Sequence, residues 1–371
     1  MQTASLLGDG WGAFVGALPQ DLDLDAVARA TGALVRRRGV PSASALLRLA
    51  LMRGPGGLSL RATAGWAALN GVANLTDPSL NDRLHGADGF LEAILSRLLA
   101  DKAARPHGRW PGRWIRVADG TCISVPGSTG TDWRLHAVYD LERGGFSHVE
   151  LTDGHGGEAL DRGPAVAGEI RIADRGYGRA RMLRRFMTTG PDGGDGDYVV
   201  RLRWSALRLI GIDGRPFEIM RHLQELPAGS SISDTLVWID DGSQQPALPA
   251  RLIVARKTPE AAEAERKRLR RAASRKQKRL DRRSLIAAEY MMLATSLPQE
   301  AYPATDVLAM YRLRWQIELA FKRLKSILHV DQLPCHTPRG VRSWLYAHLI
   351  LALVIDELSQ DFLASSPCRD A

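Results

Sequence analysis

Apolar positions in the first hundred residues recur at three- and four-residue spacing, as in DLDAVARATGALVRRRGV and SASALLRLALMRG, which predicts helices. Residues 57–86, GLSLRATAGWAALNGVANLTDPSLNDRLHG, predict two helices separated by a turn at Asn70-Gly71. Thr76 or Asp77 would cap the second, with Pro78 just inside it. That pairing has the form of a helix-turn-helix, one way to place a helix in a DNA groove. GADGFLEAILSRLLADKA adds another amphipathic helix, and the Pro/Gly-rich KAARPHGRWPGRW marks a boundary near 105–112.

Beyond it the pattern changes to strands. WIRVADGTCISVPG (114–127) is a β run interrupted at Asp119-Gly120. RLHAVYDLERGGFSHVELTDG (134–154) predicts two strands joined at Gly-Gly. EIRIADRGYG (169–178) is a strand ending at Asp174, followed by the helix RARMLRRFMTT and the strand YVVRLRW (198–204). Asp192, Asp195 and Asp197 in GPDGGDGD lack calcium-loop spacing and a closing glutamate, so they are assigned to a turn. TLVWID, ARLIVAR and YMMLATSLP predict further strands. TDVLAMYRLRWQIELAFKRLKSIL (305–328) is expected to be helical throughout, and HLILALVIDEL (348–358) to be a buried core helix. No stretch approaches the ~20 apolar residues that span a bilayer, and MQTASLLGDGWGAF has no basic start preceding an apolar run.

Composition changes this picture at one point. The chain carries a net charge of +9. Residues 256–283 hold 13 Lys/Arg against 4 Asp/Glu, an excess equal to that of the whole chain. Such a block suits either a solvated helix or an arm that attracts phosphate backbones without reading sequence. Cys122, Cys335 and Cys368 stand isolated, suggesting neither a disulfide framework nor a zinc site, and they fit a reducing cytoplasm.

Candidate chemistry centres on residues 311–328. On a helical wheel Tyr311, Arg314, Glu318, Lys322 and Lys325 share a face roughly 80° wide, with Leu313, Ile317, Ala320, Phe321, Leu324, Ile327 and Leu328 on another. Salt-bridge partners at four-residue spacing are one explanation of Glu318. The other is a carboxylate set among cations that guide a phosphate backbone. Asp119 in a strand and Asp174 at a strand end could join it, since magnesium takes carboxylate oxygens and keeps several waters. Two such ions activate the attacking oxygen and stabilise the leaving one in a displacement at phosphorus. His136, Asp140, Asp153, His155 and Glu158 are expected to be strand-surface residues, and Trp315 to pack.

Tyr311-x2-Arg314-x3-Glu318-x6-Lys325, with Asp119-Gly120-Thr121 and Asp174-Arg175-Gly176-Tyr177 in order, resembles the bacterial insertion-sequence DDE transposases of the Y-R-E-K signature. The resemblance covers about residues 50–355. It implies an α/β fold: a ribonuclease H-like core, with a mixed five-stranded sheet and flanking helices, carrying a β-rich insertion and preceded by an all-helical region. The implied division is 1–108 for the DNA-binding region, 109–204 with 286–360 for the discontinuous core, and 205–285 for the insertion. The resemblance assigns catalysis and metal binding to Asp119, Asp174 and Glu318, with two Mg²⁺ ions that Mn²⁺ can replace. It assigns DNA contacts to Tyr311, Arg314, Lys322, Lys325, Arg175 and Tyr177. It further implies hydrolysis at the element's ends and attack of the new 3′-OH on target DNA. Its implied partners are double-stranded DNA (terminal inverted repeats and target) and a second copy on DNA, with no membrane, in a cytoplasmic, nucleoid-associated setting. An inactive DNA-binding descendant and a ribonuclease H-like nuclease remain as alternatives. For the basic block, deletion of 260–283 should flatten the salt dependence of DNA affinity, measured by titrating a labelled duplex at stepped salt.

Overall fold

The computed structural model describes residues 6–102, 113–188, 196–227, 231–328, 333–334 and 337–364. Asp192, Asp195, Cys335, Cys368 and the expected boundary at 105–112 lie outside them, as do the side chains of Leu324, Ile327 and Leu328.

Six helices open the described chain: α1 (Trp11–Gly16), α2 (Leu24–Ala30), α3 (Ala43–Arg53), α4 (Leu60–Leu69), α5 (Asp77–His85) and α6 (Asp88–Lys102). Their starts follow local chemistry. The Asp23, Ser42, Ser59 and Thr76 side chains each accept a backbone N–H at a helix N-terminus. At the α4–α5 turn Gly71 takes φ +64°, a region open mainly to glycine.

Nine strands then form one sheet: β1 (Trp114–Ile123), β2 (Trp133–Asp140), β3 (Gly145–Asp153), β4 (Glu169–Ala173), β5 (Asp197–Arg201), β6 (Arg208–Ile210), β7 (Ile232–Asp240), β8 (Leu248–Arg256) and β9 (Tyr290–Thr295). Their order is β3-β2-β1-β4-β5-β9-β8-β7-β6. β1, β4 and β5 are parallel, and the other neighbours are antiparallel. The expected mixed sheet with flanking helices is present, and it has nine strands in one sheet. β9 pairs with β5 on one side and β8 on the other, so the strands of 205–285 extend the same sheet. β1 also runs unbroken through Asp119-Gly120.

The remaining helices are α7 (Ala180–Thr188), α8 (Ile219–Glu225), α9 (Pro259–Arg275), α10 (Arg282–Ala287), α11 (Ala304–Arg312), α12 (Trp315–Leu328) and α13 (Pro338–Ala364). One apolar core joins α3, α5 and α6 to α13, α12 and the β1–β3 strands. A second, on Leu183, Phe186, Ile219 and Leu223, packs α7 and α8 on the sheet. His348, Ile350 and Leu351 of α13 are buried, as the apolar run at 348–358 requires.

The expected single helix over 305–328 is corrected as well. Leu313, Arg314 and Gln316 donate to Met310, Tyr311 and Leu313 carbonyls, three residues back, and this tightened turn separates α11 from α12.

Beneath β1 lies a buried ionic network. Arg116 Nε donates to Asp140 Oδ2 (3.1 Å), and Arg116 Nη1 to Glu169 Oε2 (3.4 Å). Arg171 Nε donates to Glu169 Oε1 (2.5 Å), and its Nη atoms to carbonyls of Leu160, Arg162, Gly163 and Pro164. His136 and Asp140, expected at the strand surface, are 2 % and 1 % exposed; their partners come from other strands, where local sequence gives no hint. Glu169→Ala would take a carboxylate partner from two buried guanidinium groups, the only one that Arg171 has among the described residues. It should cost about 3–5 kcal/mol, read from urea unfolding of the variant against wild type.

Candidate active site

The last parallel pair between β1 and β4 is Ala118 opposite Ala173. Asp119 and Asp174 are the next residues of each chain, so register alone sets them side by side where parallel strands end. Gly120 N–H donates to Asp119 Oδ1 (2.8 Å). Burial, with the charges of Glu158 and Asp174, pushes the Asp119 carboxyl up to about 6, against the pull of the Gly120 N–H and Arg314. Burial also opposes ionisation of Asp174. There the Arg175 N–H and the Arg201, Arg314 and Arg175 charges prevail and hold it below the usual carboxylate range.

Asp119 and Glu318 line one open cleft of about 560 Å³, with Gly120, Thr121, Phe321, Lys322 and Lys325. Asp174 reaches the group through α11, where the buried Tyr311 donates its hydroxyl to Asp174 Oδ1 (3.1 Å). Burial and that aspartate push the Tyr311 hydroxyl up to about 12. Arg314 sits in the turn between α11 and α12. Its Nη2 donates to Glu318 Oε1 (2.6 Å), and its Nη1 lies 3.8 Å from Asp119 Oδ2. One guanidinium thus spans two of the three acids.

The structure brings the expected residues together unevenly. Lys325 Nζ lies 3.4 Å from the Cys122 carbonyl, and Lys322 is exposed at the cleft. Arg175 points elsewhere, to Glu265 of α9 (3.3 Å). Tyr177, expected to contact DNA, is 2 % exposed and packs in the second core. Trp315, expected to pack, is 48 % exposed.

Glu158 is a residue that sequence reasoning set aside. Its carboxylate rests on Gly176, where any Cβ would collide with it, and its charge opposes the ionisation of both Asp119 and Tyr177. The glycine of D-R-G-Y was the available signal: it marks a close approach, although the sequence does not name what approaches. Asp153 and His155, by contrast, are exposed, as expected.

Oxygen donors alone suit magnesium, which needs only one or two carboxylates per ion and keeps water on its other sites. Among the described residues no three His, Cys, Asp or Glu side chains converge on one point able to hold a metal. The carboxylates present fit ions held by one or two acids each; Asp119 and Glu318, which Arg314 now spans, could supply such donors. Among the described residues no helix is long and apolar enough to cross a membrane.

Comparisons with known proteins agree on one family. Residues 110–355 match the family model described as Transposase DDE domain. The chain is 40 % identical over 361 residues to the InsL protein of insertion sequence element IS186A of Escherichia coli (strain K12), covering 97 % of this chain and 96 % of that one. The transposase for insertion sequence element IS421 of Escherichia coli is 40 % identical over 362 residues, with the same coverage. The transposase for IS231F of Bacillus thuringiensis subsp. israelensis is 24 % identical over 269 residues, covering 64 % of this chain and 54 % of that one.

Asp119 gives a checkable pH dependence. Its folded carboxyl titrates near 6, above the ordinary 3.8, so the folded protein gains from its proton below that range and loses the gain as pH rises through 6. In metal-free buffer Asp119→Asn should therefore be more stable than wild type at pH 8, by on the order of 2–3 kcal/mol, and the gap should close towards pH 5. Melting curves at both pH values decide it; an equal gap at both refutes the assignment.

Proposed function

The chain belongs to the DDE transposase family and is the DNA transposase of an insertion sequence; from this premise we propose that Asp119, Asp174 and Glu318 are its catalytic carboxylates and hold two Mg²⁺ ions, which Mn²⁺ can replace. The carrying observation is the single guanidinium of Arg314 spanning Asp119 and Glu318, while Tyr311 of the preceding helix fixes Asp174. Asp119 and Glu318 thereby face one cation-lined cleft, with Asp174 held beside them at the end of the neighbouring parallel strand.

The reaction we infer is cut-and-paste: hydrolysis of a phosphodiester at each element end, then attack of the freed 3′-OH on target DNA. Bound magnesium would supply an activated oxygen nucleophile and charge stabilisation at phosphorus. The protein's side chains do the rest. Asp119 and Asp174 present oxygens at fixed spacing because adjacent parallel strands carry them. Tyr311 keeps its proton, burial and the Asp174 charge opposing its ionisation, and orients the Asp174 carboxylate through the hydroxyl hydrogen bond. Lys322 and Lys325 face the cleft and hold the strand's phosphates, which fixes position without reading bases. Arg314, which spans Asp119 and Glu318, would be available to a phosphate were those carboxylates neutralised.

In the same reading β3-β2-β1-β4-β5 is the ribonuclease H-like core, within 109–204 and 286–360. Residues 205–285 are its insertion. Residues 1–108, with the α4–α5 pair, meet DNA ends bearing terminal inverted repeats. Two copies bring two ends together, in the nucleoid.

Alanine at Asp119, Asp174 or Glu318 should abolish cleavage of a linear duplex carrying the element's ends while DNA binding persists. Wild-type cleavage by Glu318→Ala would refute the assignment. Lys325→Ala should slow strand transfer about tenfold or more while magnesium binding, followed by calorimetry, stays as in wild type.

A further inference from the structure

Next to Asp174, outside the cleft, four cations crowd together: Arg175, Arg201, Lys257 and Arg268. Arg201 Nη1 lies 3.8 Å from Asp174 Oδ1. Burial and the Arg201, Arg175 and Arg268 charges lower Lys257 to about 8. Lys257 Nζ donates to the Ala288 carbonyl (2.8 Å) and has no carboxylate within ion-pair distance among the described residues. Glu265 of α9 is the acid set within this group. It accepts from Arg268 Nε (2.8 Å) and Nη2 (2.6 Å) and from Arg175 Nη1 (3.3 Å), and its side chain is 15 % exposed. The Arg268 hydrogen bonds, followed by the Arg175 and Lys257 charges, hold it down to about 2 despite burial.

The rest of α9 divides by face. Arg266 is paired with Glu289 and Arg270 with Glu263. Lys267, Arg271 and Arg275, four residues apart, have no such partner among the described residues, and with Arg268 they line an open groove of about 740 Å³. A stripe of unpaired cations therefore leads to a fork of guanidinium groups whose one tenant is a carboxylate. The Arg fork donates to carboxylate and to phosphate oxygens with the same geometry.

We propose that Arg175, Lys257 and Arg268 form a binding site for a backbone phosphate of duplex DNA, that Glu265 holds the phosphate's place until DNA arrives, and that Lys267, Arg271 and Arg275 continue the contact along α9. The site rests on the reading of this chain as a DNA transposase. A phosphate entering it would keep the Arg268 fork satisfied, give Lys257 an anionic partner, and release Glu265 to solvent.

The test is anisotropy of a labelled random-sequence duplex with the full chain at stepped salt. Lys257→Gln should lower the slope of log affinity against log salt by about 0.9, the loss of one phosphate contact, and Lys257→Arg should restore it. Glu265→Gln, which removes the competing anion, should bind about two- to fivefold more tightly at each salt concentration. If Glu265→Gln binds no better than wild type, or if Lys257→Gln keeps the wild-type slope, the site is overturned while the transposase reading stands. If wild type shows no salt-dependent duplex binding at all, that reading falls first.

Discussion

The chain's candidate site rests on a buried charge network. Arg116 on β1 is clamped to Asp140 on β2 and Glu169 on β4, and Glu169 in turn holds Arg171. Buried ions cost desolvation and are retained only where their partners are complete. Here the pairing fixes the relative slide of the three strands on whose positions the site depends. A one-residue slip would turn Asp119 to the opposite face of the sheet. Arg171 extends the clamp by tying down the carbonyls of 160–164, and so the segment that follows Glu158.

Above that clamp the balance of charge is opposite for neighbouring acids. Asp119 is short of cations and resists ionisation, whereas Asp174 is surrounded by them and ionises readily. Arg314 partly compensates the first through its reach to Asp119 and Glu318. Neighbouring carboxylates with unlike proton affinities are what a centre needs if cation entry is to be coupled to proton release.

Much of this was legible locally. The two strands β2 and β3 joined at Gly-Gly, the cap at Thr76, and the three motifs in order all follow from short-range patterns. What stayed hidden is non-local. The pairing of β9 between β5 and β8 joins segments far apart in sequence, so no local pattern shows that the strands of 205–285 continue the sheet. His136 and Asp140 read as surface residues because Thr152 and Arg116, which satisfy them, lie on other strands. The break at 313–314 was invisible because Leu313 and Arg314 are good helix formers. Tertiary demand outweighs propensity there: Tyr311 reaches Asp174 while Ile317 and Phe321 turn to the core.

The placement of α9 has a metric consequence. It leaves the sheet at the end of β8, and the chain returns through α10 to β9, the strand paired with β8. Arg266 bonded to Glu289 pins one flank. Its 17 residues make a rod about 25 Å long, which matches the rise of about seven base pairs. A duplex lying on such a rod would have its distance from Asp174 fixed by the protein, so the same element that supplies charge would also serve as a ruler for where the strand is cut.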